Sequence, residues 1–257
     1  MLTPPEIARS LLAAGESKAR LPFGKMLLLA ILAGAYIALA GVGATAAAVT
    51  VESGSLAKLL SACVFPAGLS MVILAGSELF TGNCLMVMAL LERRITPAQL
   101  LRNWLTVYLG NAMGGAAVAA LAVYSHTASL FGDGLARSMV SIAESKAALG
   151  FGDAFLRGVL CNFLVCLAVW MAAASKRAEG KVIALFFPIL LFVLCGYEHC
   201  IANLYYLPAG AFAAAEYGMG TTLTLAGCLK NLAAVTLGNL VGGAALGVGY
   251  RFAYLKE

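Results

Sequence analysis

Apolar stretches long enough to cross a membrane, with no charged residue or a single glutamate in each, dominate the pattern of the chain. One runs from 26 to 50, and two longer ones run from 59 to 91 and from 182 to 215. A helix needs about 20 apolar residues to cross about 30 Å of hydrocarbon. The pattern therefore predicts membrane spans at about 27–49, 57–91, 103–124, 156–174, 182–213 and 228–249, six in all.

The second and fifth predicted spans are too long to be single straight helices. An unbroken helix over 59–91 would be about 50 Å long, well beyond the hydrocarbon thickness. Irregular backbone at membrane depth persists only where it faces protein or a water-filled cavity. We therefore expect both spans to be broken at one shared site, and the residues that mark the breaks are Gly76, Glu78, Gly82, Asn83 and Gly196.

The two halves of the chain contain similar sequence segments. GSELFTGN around Glu78 parallels GYEHCIAN around Glu198, and residues 102–115 match residues 230–243 at a constant offset. A repeated carboxylate within a long apolar stretch indicates a functional site. Because each half has three spans, the halves must lie in the membrane with opposite topology. The sequence predicts an all-α membrane protein of six transmembrane helices, built as two inverted three-helix repeats.

Composition and charge agree with a membrane protein and orient it. Apolar residues make up 62% of the chain and charged residues 11%, which leaves too little polar surface for a soluble monomer. Placing both termini in the cytoplasm follows the positive-inside rule, and we expect the inner (plasma) membrane. Few basic residues then remain outside: Lys58, Arg137, Lys146, Arg157 and Lys230. Nucleic acid is not an expected partner, since no basic cluster interleaves with exposed aromatic residues.

We expect one transmembrane domain over the whole chain, 1–257. Thr3 and Glu6 have capping-box spacing ahead of a short amphipathic helix that ends at Gly15 on the membrane surface. The expected parts are an amphipathic N-terminal segment (1–25), a first repeat (26–124), an outer loop (125–153), a second repeat (154–250) and a C-terminal tail (251–257).

Few residues offer metal or redox chemistry. The seven cysteines form no CxxC pair, so no metal site, disulfide or cofactor is expected. His199 differs from these residues, because an imidazole beside Glu198 at mid-membrane is costly unless it pairs or titrates. His126 lies near the end of a span and is interpreted as an ordinary surface residue.

Four segments together resemble the formate/nitrite transporter family over nearly the whole chain: GSELFTGN, LRGVLCNFLVCLAVWMA, GYEHCIANLYYLP and NLAAVTLGNLVGG. The resemblance implies a channel or transporter rather than an enzyme. It also implies a homopentamer in the lipid bilayer, with one pore in each aquaporin-like protomer. The anions expected from the resemblance are small and monovalent: formate first, with nitrite and hydrosulfide as alternatives and lactate as a further family substrate.

The resemblance also assigns roles to individual residues. His199 matches the central pore histidine and Thr81 the threonine expected to face it, although a hydroxyl at position 81 is equally suited to capping the broken helix. The residues matched to the apolar constrictions are Phe65, Leu69, Leu79 and Phe192. Those matched to a supporting polar network are Lys146, Asn162, Glu198 and Asn203.

These roles suggest a mechanism and two alternatives. Apolar rings remove water from the anion, which is costly for a charge. We hypothesise that the anion takes a proton from or through His199 and crosses as the neutral acid. An aquaporin-type pore for neutral solutes would share the fold, but the paired NPA motifs of such pores are absent from this sequence. A haem-binding redox subunit would need axial ligands at matching depths, and the two histidines lie at different depths.

Overall fold

The computed structural model describes residues 1–255, and Lys256 and Glu257 of the expected tail lie outside the described residues. Within 1–255 the protein is helical and has no strand. The helices are α1 (Pro4–Ala19), α2 (Phe23–Ala48), α3 (Gly54–Val64), α4 (Pro66–Ala75), α5 (Phe80–Asn83), α6 (Val87–Leu91), α7 (Pro97–Tyr124), α8 (Gly134–Ala148), α9 (Phe151–Ala173), α10 (Ala178–Leu194), α11 (Cys200–Glu216) and α12 (Leu225–Tyr254).

Among the described residues, five helical segments are long and apolar enough to span a membrane. They are Phe23–Ala48, Gly54–Ala75, Pro97–Tyr124, Phe151–Ala173 and Leu225–Tyr254. The segment Gly54–Ala75 combines α3 and α4, which meet at Phe65 and Pro66. The remaining apolar helices are shorter: α10 and α11 have 17 residues each, and Phe80–Leu91 is also below spanning length.

Two interruptions bring helix ends into the interior of the protein. Helix α4 ends at Gly76, whose backbone is left-handed (φ 78°), and helix resumes at Phe80. Helix α10 ends before Gly196, which is also left-handed (φ 68°), and α11 begins at Cys200. Glycine adopts this conformation without the steric cost that other residues meet. Each interruption therefore directs a short extended segment, and the residue after it, toward the centre.

Close packing of α2 on α7 and of α9 on α12 forms the scaffold around these interruptions. At Gly114 of α7 and Gly242 of α12, a Cβ atom would collide with the backbone carbonyls of Ile31 and Val159. Small residues let helix backbones approach closely in membrane proteins. The two helix pairs thus meet in the same way at matching positions.

Two elements differ from the expectation. Helix α1 continues past Gly15 to Ala19, because Gly15 packs against Ala89 with little room for a Cβ and so serves as a tertiary contact within the helix. The outer loop 125–153 also contains a full helix, α8, which packs on α11. Its buried residues, among them Leu135 and Met139, recur at helical spacing.

Candidate functional site: a buried histidine between two cavities

A histidine and a threonine from the two interruptions meet in the interior. Thr81 lies in α5, and His199 is the residue immediately before α11. Thr81 is fully buried and His199 is 3% exposed. The Thr81 Oγ1 atom lies 2.9 Å from His199 Nε2. The two residues assigned to the centre are therefore hydrogen-bonded, although their role in transport stays a prediction.

The second ring nitrogen of His199 identifies the tautomer of this pair. The backbone N–H of Ala202 donates to His199 Nδ1 at 3.1 Å, so Nδ1 carries no proton. A neutral imidazole then has its proton on Nε2, which donates to the Thr81 oxygen. The Thr81 hydroxyl hydrogen remains available, since no other acceptor within residues 1–255 bonds to it. The pair can donate one hydrogen bond to an anion.

Asn162 and Cys166 of α9 hold the backbone of Thr81. Asn162 Nδ2 donates to the Thr81 carbonyl at 3.3 Å and to the Asn239 carbonyl at 2.7 Å. The Cys166 thiol also donates to the Thr81 carbonyl at 3.3 Å. Asn162, which was assigned to the supporting network, thus positions the threonine from behind.

Two cavities lie near this pair, and buried apolar side chains line both of them. The first cavity, about 130 Å³, is lined by Phe65, Phe192, His199 and Lys146 among others, and we call it the Lys146 cavity. The rings of Phe65 and Phe192 meet edge to face with centroids 5.6 Å apart. The second cavity, about 350 Å³, we call the Lys18 cavity.

The Lys18 cavity is lined by Leu69 and Leu79 together with Lys18, Glu78 and Gly82. All four side chains assigned to constrictions are at most 4% exposed. One aromatic pair therefore borders the Lys146 cavity, and one leucine pair borders the Lys18 cavity.

A lysine and an asparagine hold Glu198. Lys146 Nζ lies 2.9 and 3.1 Å from the two Glu198 carboxylate oxygens. Asn203 Nδ2 donates to Glu198 at 2.7 Å and also to Asn231 Oδ1 at 2.7 Å. Asn231 in turn donates to the Lys146 backbone carbonyl at 2.9 Å. The carboxylate is committed to this network and does not contact the imidazole.

The same network recurs around Glu78. Lys18 Nζ lies 2.6 Å from Glu78, and Asn83 Nδ2 donates to Glu78 at 2.7 Å. Asn83 also donates to Asn103 Oδ1 at 2.9 Å, and Asn103 donates to the Lys18 carbonyl at 3.4 Å. Each residue of the Glu198 network thus has a counterpart here, with α1 in the place of α8, although Lys18 bonds to one carboxylate oxygen where Lys146 bonds to both.

The amino-acid pattern did not identify Lys18 as a site residue. It was assigned only to the cytoplasmic basic residues, because α1 was expected to lie on the membrane surface. The signal was present, since Lys18 precedes Lys146 by the same offset that relates Asn103 to Asn231.

Two further asparagines lie at matching places in the repeated segments 102–115 and 230–243, and the sequence pattern does not predict a role for them. Asn239 Nδ2 donates to the carbonyls of Gly158 and Glu198, and its oxygen accepts from the Cys200 amide, at 2.8 to 2.9 Å. Asn111 makes the equivalent bonds to Ala30, Glu78 and Phe80. Buried backbone groups need such partners. The asparagines satisfy the backbone that the interruptions leave unpaired.

His126 lies apart from the site. It is exposed, follows α7 in a left-handed conformation, and its ring faces Tyr217 with centroids 6.4 Å apart.

The chain is similar to known proteins over nearly its full length. A family model described as "Formate/nitrite transporter" matches residues 5–253. A protein named "Probable formate transporter" from Methanothermobacter thermautotrophicus is 38% identical, over 99% of this chain and 98% of its own length. The formate channel FocA of Haemophilus influenzae is 39% identical, over 86% of this chain and 84% of its own length.

Solved structures agree with this similarity. A chain described as "FNT family ion channel" superposes with a TM-score of 0.86 at 32% identity, covering 96% of this chain and 98% of that one. A "Pentameric formate channel with formate bound" superposes with a TM-score of 0.80 at 33% identity, covering 91% and 98%.

Proposed function

The chain belongs to the formate/nitrite transporter family, and we propose that it forms a channel for small weak-acid anions with formate as its main substrate. The observation that carries the proposal is the buried bond between Thr81 and His199, with a lysine-bearing cavity on either side. The relatives named above as formate channels and transporters favour formate over nitrite and hydrosulfide.

We also propose a specific membrane architecture for the chain. The protein is a multi-pass membrane protein, and in our proposal it has six spans arranged as two inverted repeats in an aquaporin-like protomer. The matching networks around Glu78 and Glu198 support the repeat. We further propose a homopentamer in the plasma membrane with both termini in the cytoplasm, which puts the Lys18 cavity inside and the Lys146 cavity outside.

The proposed pathway begins with a lysine. An anion enters either cavity, where the lysine ammonium lies beside its paired glutamate, and then meets a pair of apolar side chains that exclude its water. A bare charge crosses such a region only at high cost, and burial favours the neutral form of a carboxylic acid. The weak acid therefore crosses the apolar pairs in its neutral form. It is an anion only in the cavities and at the centre, where hydrogen-bond donors stabilise the charge.

His199 and Thr81 supply those donors at the centre. The neutral ring donates from Nε2 to Thr81, whose hydroxyl is then oriented to donate to the anion. A second proton on Nδ1 would face the Ala202 N–H as donor against donor. We therefore propose that the imidazolium is a transient species, formed when a proton from the cavity water adds to Nδ1 as the arriving anion stabilises the positive charge. The Nε2 proton then passes through the Thr81 hydroxyl to the anion, and loss of the Nδ1 proton with reprotonation of Nε2 from water restores the starting ring.

Counterflow in proteoliposomes tests the substrate. Vesicles loaded with unlabelled formate should accumulate labelled formate well above protein-free vesicles, and external nitrite, hydrosulfide or lactate should compete more weakly. If formate shows no counterflow and nitrite shows full counterflow, nitrite rather than formate is the main substrate. Water permeability without any anion flux would instead favour the neutral solute pore.

A further inference from the structure

A third cavity, about 320 Å³, adjoins the Lys146 cavity and carries an excess of positive charge. Its polar and charged lining consists of Lys58, Ser141, Ser145, Lys146, Arg157 and Glu198, with the Tyr197 ring at one side. We call it the basic vestibule. It shares Lys58, Lys146 and Tyr197 with the Lys146 cavity, so the two spaces lie side by side.

Two cations of the basic vestibule have no carboxylate partner. Glu198 is bound to Lys146, which neutralises that pair. Within residues 1–255, neither Lys58 nor Arg157 lies within ion-pair distance of an Asp or Glu side chain. The basic vestibule therefore keeps two uncompensated positive charges beside a carboxylate that is already neutralised.

The other half of the molecule lacks these two charges. The amides of Glu78 and Glu198 donate to the carbonyls of Leu29 and Arg157, so Leu29 holds the position that corresponds to Arg157. The offset that aligns Phe65-Pro66 with Phe187-Pro188 aligns Lys58 with Gly180.

The charged residues lining the Lys18 cavity are Lys18 and Glu78, which are paired with each other. The many basic residues of the expected cytoplasmic face, such as Arg20 and Lys25, do not line that cavity. The excess charge is confined to one end of the pathway.

We propose that Lys58 and Arg157 form an anion-docking site that loads the pore from the Lys146 side only. The guanidinium offers two parallel N–H donors to a planar anion such as a carboxylate or nitrite, and the ammonium adds a point charge. Local positive potential raises the concentration of anions at a mouth and their capture rate. The site lowers the half-saturating concentration on its own side and leaves the equilibrium distribution of a passive permeant unchanged.

Currents with formate on one side at a time test this docking site, which rests on the proposed function for its permeant. With formate on the Lys146 side at low ionic strength, Lys58→Gln and Arg157→Gln should each raise the half-saturating formate concentration about fivefold. This is the effect of one charge at about 4 Å in water. Saturating current and half-saturation from the Lys18 side should not change. Salt at about 1 M should remove most of the difference, because it screens charges beyond about 3 Å.

Lys230→Gln is the matched control, since Lys230 is exposed and lines a different cavity, away from Lys58 and Arg157. An equal effect of Lys230→Gln, or an equal effect from both sides, would overturn the docking site and leave only a general surface charge.

A second measurement does not depend on which anion the pore conducts. The local electrostatic potential is measured at two introduced cysteines, Ser145→Cys in the basic vestibule and Ser77→Cys in the Lys18 cavity. In both variants Cys63 and Cys195 are replaced by serine. The rates at which anionic and cationic methanethiosulfonates modify each new thiol are then compared. The anionic-to-cationic rate ratio should be several-fold higher at position 145, and Lys58→Gln with Arg157→Gln should remove the excess. Equal ratios at the two positions would refute the proposal even if formate is transported, whereas absent formate currents with unequal ratios would reject formate alone.

Discussion

His199 is held from both sides of its ring, and this makes its role specific. The Ala202 amide occupies Nδ1, and Thr81 lies at Nε2. A histidine held this way is oriented to act through the threonine hydroxyl. In the proposed mechanism the hydroxyl donates to the anion at the centre, so the effect of losing it should be separable from the effect of losing the imidazole.

Thr81→Val removes the hydroxyl while keeping the shape of the side chain. We expect formate flux to fall by about tenfold or more, because the Nε2–H donor loses its buried acceptor and the anion loses its donor, each costing about 1–3 kcal/mol. Thr81→Ser is the matched control and should retain most of the flux. Flux in proteoliposomes at constant protein density measures both. Equal loss in the two variants would indicate a packing role for Thr81.

His199→Asn tests the proton. Asparagine can accept from the Ala202 amide and still donate toward Thr81, but it does not titrate. Wild-type formate flux should therefore change with pH beyond the change in free formic acid, whereas the variant should follow free formic acid alone. Uptake between pH 5 and 7, corrected with protein-free vesicles, measures the difference. An unchanged pH profile would refute proton transfer at His199.

At the scale of elements, the breaks between helices depend on residues outside them. Asn239 on α12 satisfies one amide and two carbonyls around the second break, and Asn111 on α7 does the same at the first. Long helices thus carry the side chains that make the broken backbone tolerable in the interior.

Asn239→Ala should therefore destabilise the protein far more than an average substitution. Two buried backbone groups of the break, the Cys200 N–H and the Glu198 carbonyl, lose their partners, and each unsatisfied group costs about 1–3 kcal/mol, so a loss of several kcal/mol is expected. Val241→Ala is the control on the same helix, since Val241 is 50% exposed, and should change stability by less than about 1 kcal/mol. Thermal unfolding in detergent compares them. Similar midpoints for the two variants would contradict this account of the breaks.

The sequence pattern predicts the membrane-spanning helices but not helix α8, and the difference has a physical reason. Long apolar stretches with at most one charge indicate membrane-spanning helices directly, because about 20 apolar residues are what a helix needs to cross the hydrocarbon. Helix α8 was not predicted because residues 134–148 are short and carry charged residues, so they fall below the hydrophobicity that identifies a membrane span.

Lys18 was missed for a related reason. A basic residue near the N-terminus is normally counted as a surface charge, and only the fold brings α1 against Glu78. The contact between Thr81 and His199 was expected from a family resemblance, since nothing in their spacing brings the two residues together.

At the scale of the whole molecule, the two lysine–glutamate pairs attach helices α1 and α8 to opposite interruptions. Neither helix is long and apolar enough to span a membrane, yet each supplies a charge to the interior. The buried carboxylates depend on these charges, because removing one partner leaves the other uncompensated in a poorly solvated site.

Lys146→Gln and Lys18→Gln should accordingly destabilise the protein, and unequally. Loss of one partner of a buried pair costs about 3–5 kcal/mol. The Lys146 side chain is 15% exposed and that of Lys18 is 30% exposed, so the Lys146 variant should approach this range while the Lys18 variant should lose about half as much. Adding Glu78→Gln to Lys18→Gln should restore part of the loss, because it removes the unpaired carboxylate.

Glu179→Gln is the matched control, since it breaks the pair of Arg177 and Glu179 in which both side chains are mostly exposed. Such exposed pairs contribute about 0–1 kcal/mol. Thermal unfolding midpoints in one detergent rank the four variants. If both lysine variants unfold with the control, the pairs do not hold α1 and α8 to the interruptions, and the matching contacts of the two halves are geometric only. If both lysine variants lose stability and the Glu78→Gln addition recovers part of it, the two ends of the molecule are built on one repeated electrostatic attachment.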